Sequence, residues 1–244
     1  MIILHGDFAR REVALVFDDG PNPQVTPPLL DVLKAKNVPA TFFLIGARAE
    51  QYPHIARRIA QEGHEIGNHT YTHKRLTQLL RAQGEQAVKD EITRGAQAIS
   101  GAAGIDPARI RFLRPPYFDW DDDVARIAAP LYESRVIMAS LAAEDYQWGG
   151  DHQWNEHAHA AIAAQAAHIT AAWQKDTRPG TLLAFHDGAE YNLPGNKTYA
   201  SWMNRALPTL AAIPAIIDFL HSQGYAIKTL STMHLTQELQ ASTK

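Results

Sequence analysis

Residues Val13–Pro21 read "VALVFDDGP". The first five are apolar and rich in β-branched and aromatic side chains, with no polar residue between them. A strand that is covered on both faces reads this way, and such strands belong to parallel sheets layered with helices. The run ends in two adjacent carboxylates, Asp18 and Asp19, and a Gly-Pro turn. Charges at the mouth of a buried strand are costly unless something of opposite charge faces them.

Working outward, short apolar runs recur at Thr41–Ile45, Glu65–Ile66, Ile110–Leu113, Val136–Leu141, Leu182–Phe185 and Ala226–Leu230. Helical patterns lie between most of them. Thr26–Lys36 has Thr26 in place to cap and Pro27 at the first helical position. Pro53–Glu62 stops at Gly63, Glu85–Ser100 repeats Val88, Ile92, Ala96 and Ile99 on one face, Asn155–Lys175 is alanine-rich, and Ile213–Gln223 closes at Gly224. Strands alternating with helices of this length predict βα units around a parallel sheet. About seven such units without a linker predict one barrel-like domain rather than an open doubly wound sheet.

Composition excludes several classes. Of 244 residues, 45% are hydrophobic and 20% charged, an ordinary globular balance. The formal net charge of -3, with scattered basic residues, gives no reason to expect nucleic acid as a partner. There is no cysteine, which removes disulfides, thiolate metal sites and cysteine nucleophiles. No segment approaches the ~18 consecutive apolar residues that span a bilayer. The first residues lack a signal-peptide layout, so the expectation is a cytoplasmic protein, or an extracytoplasmic or secreted one if a leader has been removed. Composition says nothing of oligomeric state.

Barrels of this kind carry their chemistry at the C-terminal ends of the strands. The segments there are "DDGPNP", "GNHTYTH", "RPPY", "AAEDYQW" and "HDG". In "HTYTH", His69 and His73 are four apart, a spacing that on a helical turn places both imidazoles on one face to grip a metal. No glutamate follows His69, so this is not the metalloprotease pattern, and a third ligand must come from elsewhere. In an extended strand Asp18 and Asp19 would point to opposite sides. At a strand end that turns, one can bind the metal and the other can stand beside the metal-bound water as base. A His, His, Asp set leaves open the positions a catalytic metal needs. An Asp-x-Asp phosphatase nucleophile fits poorly, because its acids lie two apart. Arg114, before two prolines, is placed to keep the base ionised and aimed. The Tyr117 peptide N–H is a candidate oxyanion donor. His186, at the end of a buried run, is the candidate general acid.

Together "VFDDGPNP", "HTYTH", "RPPY" and "HDG", in this order, with "VPATFFLIG" at Val38–Gly46, resemble the polysaccharide deacetylase family, carbohydrate esterase family 4. The likeness runs from about Glu12 to about Thr232. It implies a single-domain α/β fold, a distorted barrel of seven or eight βα units, with residues 1–244 as one catalytic domain. It implies a divalent metal, zinc above all, with cobalt, nickel or manganese as alternatives. The implied reaction removes an N-acetyl, sometimes O-acetyl, group from an oligo- or polysaccharide such as chitooligosaccharide or peptidoglycan. By motif position Asp18 is the base, Asp19, His69 and His73 the metal ligands, Arg114 the partner of Asp18 and His186 the acid. The family's Asp-Trp motif corresponds to Asp145-Tyr146, and Asp145 is then the implied partner of His186. A carbohydrate-binding relative that has lost activity is the alternative; the complete set of site residues favours the enzyme. Tyr191, Tyr199 and Trp202, in the long stretch after His186, are candidates to stack on sugar rings.

Overall fold

A computed structural model of the chain describes residues 2–132, 135–138, 141–142, 158–188 and 199–238. Its strands are β1 (Ile2–Gly6), β2 (Glu12–Gly20), β3 (Thr41–Leu44), β4 (Glu65–Asn68), β5 (Val136–Ile137), β6 (Leu141–Ala142), β7 (Leu182–His186), β8 (Ala226–Lys228) and β9 (Leu235–Glu238). Its helices are α1 (Thr26–Ala35), α2 (Gly46–Gln51), α3 (Pro53–Gln61), α4 (Leu76–Gln83), α5 (Glu85–Ala103), α6 (Asp122–Tyr132), α7 (Ala158–Asp176) and α8 (Tyr199–Ser222). None is long and apolar enough to cross a membrane.

The main sheet runs β4-β3-β2-β7-β6, every pair parallel. β2 is its centre. Residues Glu12–Ala14 pair with β8, Val16–Gly20 pair with β3, and Ala14–Asp18 pair with β7. A second ladder, β5-β1-β9, is joined to the first through Leu113, which bridges Asn68 on one side and Val136 on the other. The result is a distorted barrel in a single domain.

Both faces of β2 are buried, as its unbroken apolar run predicts. Val13, Leu15 and Phe17 pack under the helices with Leu29, Leu30 and Ile55. Ala14 and Val16 pack inside with Phe43, Phe112, Ile137 and Leu182. Phe17 is fully buried between Phe42 and Phe185, with ring centroids 5.2 and 5.5 Å away. Burying a ring of that size contributes about 1.5–3 kcal/mol. The period of two then carries Asp18 to the inner side, with Ala14 and Val16. His186 pairs directly with Asp18 in register and shares that side.

Three expectations are corrected. Ile110–Leu113 is a bridge at Leu113 rather than a strand, preceded by a 3-10 turn over Pro107–Arg109. Pro107 on one side and Pro115-Pro116 on the other cannot donate to a ladder. Val136–Leu141 divides into β5, which pairs with β1, and β6, which pairs with β7. Thr26 is the first residue of α1 and not its cap; its hydroxyl accepts from the Asn22 N–H at 2.8 Å and donates to Asp187 Oδ2 at 2.5 Å.

Candidate metal centre

Asp18 ends the regular part of β2. Its carboxylate receives two hydrogen bonds from Arg114 Nη1, 2.8 Å to Oδ1 and 3.0 Å to Oδ2. Arg114 is completely buried, with its guanidinium over the Phe43 ring at 4.6 Å and the Phe118 ring at 5.9 Å. An ion pair so enclosed is screened little by water, and it holds the acid's direction.

Asp19 breaks the strand. The β2–β3 register passes from Asp18↔Phe43 to Gly20↔Leu44, so one residue is extra on β2. That residue has a φ of 72°. It is a bulge, and a bulge rotates the next side chain away from the alternation. This is how two adjacent aspartates come to serve one site.

His69 and His73 follow β4, and here a helical expectation is overturned. Residues 69–75 form a loop; the helix after it, α4, begins at Leu76. The loop turns through left-handed residues at Thr70 and His73, with φ of 67° and 60°. Its carbonyls at Thr70 and Tyr71 accept from the N–H groups of Gly46 and Ala47 at 2.9 and 3.0 Å. Glu91 of α5 accepts from the Thr72 N–H at 2.5 Å and from its hydroxyl. Asn68 ties the start of the loop to α5 and α6 through Ile92 O and Tyr132 Oη, at 2.8 and 2.7 Å. Gly95 lets α5 approach this closely, because a Cβ there would meet the Thr70 and Tyr71 backbone.

The three side chains converge. His69 Nε2 and His73 Nε2 lie 3.2 Å apart, and Asp19 Oδ1 lies 3.2 and 3.0 Å from them. These contacts are within hydrogen-bond distance, yet buried Oδ1 has no well-formed hydrogen bond among the described residues. Ligands about 2.0–2.1 Å from a tetrahedral metal stand about 3.3 Å from one another, so the spacing fits a bound divalent cation. His69 Nδ1 lies 2.7 Å from the Arg114 carbonyl. A carbonyl only accepts, so Nδ1 carries the proton and Nε2 presents its lone pair, the arrangement a metal-ligating histidine needs. Burial alone would raise the Asp19 carboxyl. The charge of His73, the contacts that the His69 and His73 rings make with the carboxylate and, further off, the charge of His186 outweigh it and hold that carboxyl well below the usual carboxylate range.

At the rim, Tyr117 and Phe118 have φ of 58° and 53° and expose their rings. The Tyr117 ring lies 4.8 Å from that of His73, with the Arg75 guanidinium 4.0 Å above it. Five of the six non-glycine residues with positive φ among the described residues are Asp19, Thr70, His73, Tyr117 and Phe118. Each costs roughly 1–3 kcal/mol, so their concentration here marks a site whose geometry the surroundings enforce.

The structure therefore brings together Asp18, Asp19, His69, His73 and Arg114, with His186 and Tyr117 beside them. Asp145, Tyr146 and Tyr191 lie outside the described residues, and Tyr199 and Trp202 are described only as backbone of α8.

Two further residues belong to the site and were not singled out from sequence. Arg48 is buried on α2 and donates from Nη1 to the Asp19 carbonyl at 3.1 Å. Asp187 is buried next to His186, and its N–H donates to the Asp18 carbonyl at 3.1 Å. Its place in the "HDG" segment was the available signal. Burial pushes the Asp187 carboxyl up to about 7; the charges of Asp19 and Asp18 add to this, against the Thr26 hydrogen bond and the Arg48 charge. An acid whose folded pKa lies above its unfolded one stabilises the fold only while protonated. Its contribution is complete below about pH 4 and is lost as pH rises towards 7, about 4 kcal/mol in all. Asp187→Asn removes that titration. In metal-free protein the unfolding midpoint of the variant, relative to wild type, is expected to climb from pH 4 to pH 7. A difference that stays flat with pH would refute the assignment.

Comparison with known proteins agrees with this geometry. Residues 5–132 match the sequence model of the family described as Polysaccharide deacetylase. A chitooligosaccharide deacetylase of Sinorhizobium fredii is 37% identical over 223 residues, 91% of this chain and 91% of that protein. A peptidoglycan-N-acetylglucosamine deacetylase of Bacillus cereus is 32% identical over 96% of this chain and 72% of its own length. Among solved structures, the Bc1960 peptidoglycan N-acetylglucosamine deacetylase, in complex with a naphthalenyl N-oxidanyl-benzamide, superposes with a TM-score of 0.73. That match has 30% identity and covers 95% of this chain and 92% of the other.

Proposed function

The chain belongs to the polysaccharide deacetylase family, and from that membership we propose that it hydrolyses the N-acetyl groups of a chitooligosaccharide- or peptidoglycan-type glycan. A divalent metal, zinc before others, would be held by Asp19, His69 and His73. The observation that carries the reading is the convergence of those three buried ligand atoms beside a second carboxylate, Asp18, already paired with Arg114. Two imidazoles and one carboxylate suit zinc, with cobalt, nickel and manganese as competitors.

The metal, when bound, supplies Lewis acidity that polarises the acetyl carbonyl and lowers the pKa of water. Asp18 takes a proton from the attacking water as its oxygen bonds to the carbonyl carbon. Arg114 keeps Asp18 ionised and fixes its direction. The Tyr117 N–H donates to the oxygen on which negative charge develops. His186 delivers a proton to the nitrogen as the amide C–N bond breaks, leaving acetate and a free amine. The inner-face register of Asp18 and His186 supports a division of base and acid between neighbouring strands.

The test is acetate release from chitooligosaccharides, peptidoglycan fragments and acetylxylan, with and without a chelator. Release from the N-acetylated substrates is expected, with a loss of more than about 10²-fold on metal removal and recovery on adding zinc back. Release insensitive to metal removal, or from acetylxylan alone, would overturn the reading.

A further inference from the structure

The bulge that turns Asp19 towards the histidines also orphans its carbonyl. The neighbouring carbonyls of β2 are satisfied by backbone. Asp18 O accepts from the N–H groups of Asp187 and Gly188 at 3.1 and 3.3 Å, and Gly20 O accepts from Ile45 N–H at 2.9 Å. A buried carbonyl without a donor costs on the order of 1–3 kcal/mol. For Asp19 the donor is a side chain, Arg48 Nη1 at 3.1 Å.

Arg48 is itself an unusual residue for its place. It sits in the first turn of a six-residue helix, α2, and is 3% exposed. The first N–H groups of α2, at Gly46 and Ala47, hold the carbonyls of Thr70 and Tyr71 in the histidine loop. One short helix thus grips both segments that carry the ligands, the loop through its backbone and the Asp19 bulge through Arg48. Gly188 closes the other side, since a Cβ there would collide with the Asp19 carbonyl.

We propose that Arg48 is a positioning residue of the metal centre: it holds the Asp19 carbonyl and so keeps the carboxylate turned towards His69 and His73. The inference rests on reading Asp19, His69 and His73 as metal ligands. A guanidinium suits the task because it reaches far and its planar fork is preorganised, whereas an ammonium would need to re-aim. A second consequence is electrostatic. A fixed positive charge near a dication opposes binding, so the positioning effect and the charge effect predict opposite signs when Arg48 is removed.

The experiment measures zinc affinity of the full chain by competition with a chromophoric chelator, together with the unfolding midpoint of the metal-free protein, for wild type, Arg48→Met and Arg48→Lys. Wild type is expected to bind one zinc. In Arg48→Met, affinity is expected to fall about 10–100-fold, the range for groups that orient a ligand, measured at a temperature where the metal-free variant is folded. Arg48→Lys is expected to fall less, because it keeps the charge and part of the donor. A merely structural role would lower the unfolding midpoint and leave the affinity of folded protein unchanged. Affinity that is unchanged or tighter in Arg48→Met overturns the proposal. If Arg48→Met does not fold, Arg48→Lys decides alone, and wild-type affinity in it overturns the proposal. A wild type that binds no zinc brings down the metal-centre reading and this one with it. A wild type that binds while the variants match it brings down this one only.

Discussion

Asp18→Asn is expected to lower kcat/KM by about 10²–10⁴ and to leave the bound metal in place. The range is that of a lost general base, about 3–5 kcal/mol of transition-state stabilisation. Metal should stay because the three converging atoms belong to Asp19, His69 and His73, and Asp18 is not among them. Asparagine is the right replacement because its carbonyl oxygen still accepts from Arg114 Nη1, which reaches both Asp18 oxygens. It nevertheless leaves a fully buried guanidinium facing a neutral group. Removing one partner of a buried pair costs up to about 3–5 kcal/mol, so the unfolding midpoint should drop as well. Turnover and elemental metal content are therefore measured well below that midpoint. A variant within tenfold of wild-type turnover would end the role of Asp18 as base.

His69→Ala is expected to lose the metal. Changes beyond the ligands themselves cost about 10–100-fold in affinity, and removal of a ligand should exceed that range. The loss includes the bond from Nδ1 to the Arg114 carbonyl, so the segment bearing the base's partner is loosened too. The loop should keep its course in the metal-free protein. Its other ties, Thr72 to Glu91, Thr70 and Tyr71 to the start of α2, and Asn68 to Ile92 and Tyr132, do not involve the imidazole. Elemental analysis with a far-ultraviolet spectrum separates the cases. Metal retained at wild-type stoichiometry would refute His69 as a ligand, and a lost spectrum would show that the loop depends on the ring.

The two experiments together separate what Asp18 and Asp19 do. They are neighbours in sequence with the same side chain, yet one is paired with a guanidinium and the other with two imidazoles. Period-two alternation puts Asp18 on the same face as Ala14 and Val16; packing of those two with Phe43, Ile137 and Leu182 makes that face the inner one. The alternation assigns Asp19 to the opposite face, which is wrong. Pairing with β3 inserts the extra residue, and Arg48, 29 positions along the chain, accommodates the carbonyl that the bulge displaces. The His69–His73 spacing is a similar case. Four apart suggests a helix; the residues meet instead because a left-handed loop, anchored by α2 and α5, folds them together.

From the sequence by itself came the strand runs, the α/β class, the order of polar segments at strand ends and the candidates for ligands, base, arginine partner and acid, while the split of roles between Asp18 and Asp19 came from the family resemblance alone. These are legible because buried parallel strands leave continuous apolar runs, and because chemistry restricts which residue types can bind a metal or move a proton. Only the tertiary structure decided which way each site residue turns, that the histidines lie on a loop, and that Arg48 and Asp187 stand behind the aspartates. Those depend on register between strands, on bulges and on carbonyls caught by distant side chains. They arise from contacts between segments far apart in the chain, and local pattern carries no record of them.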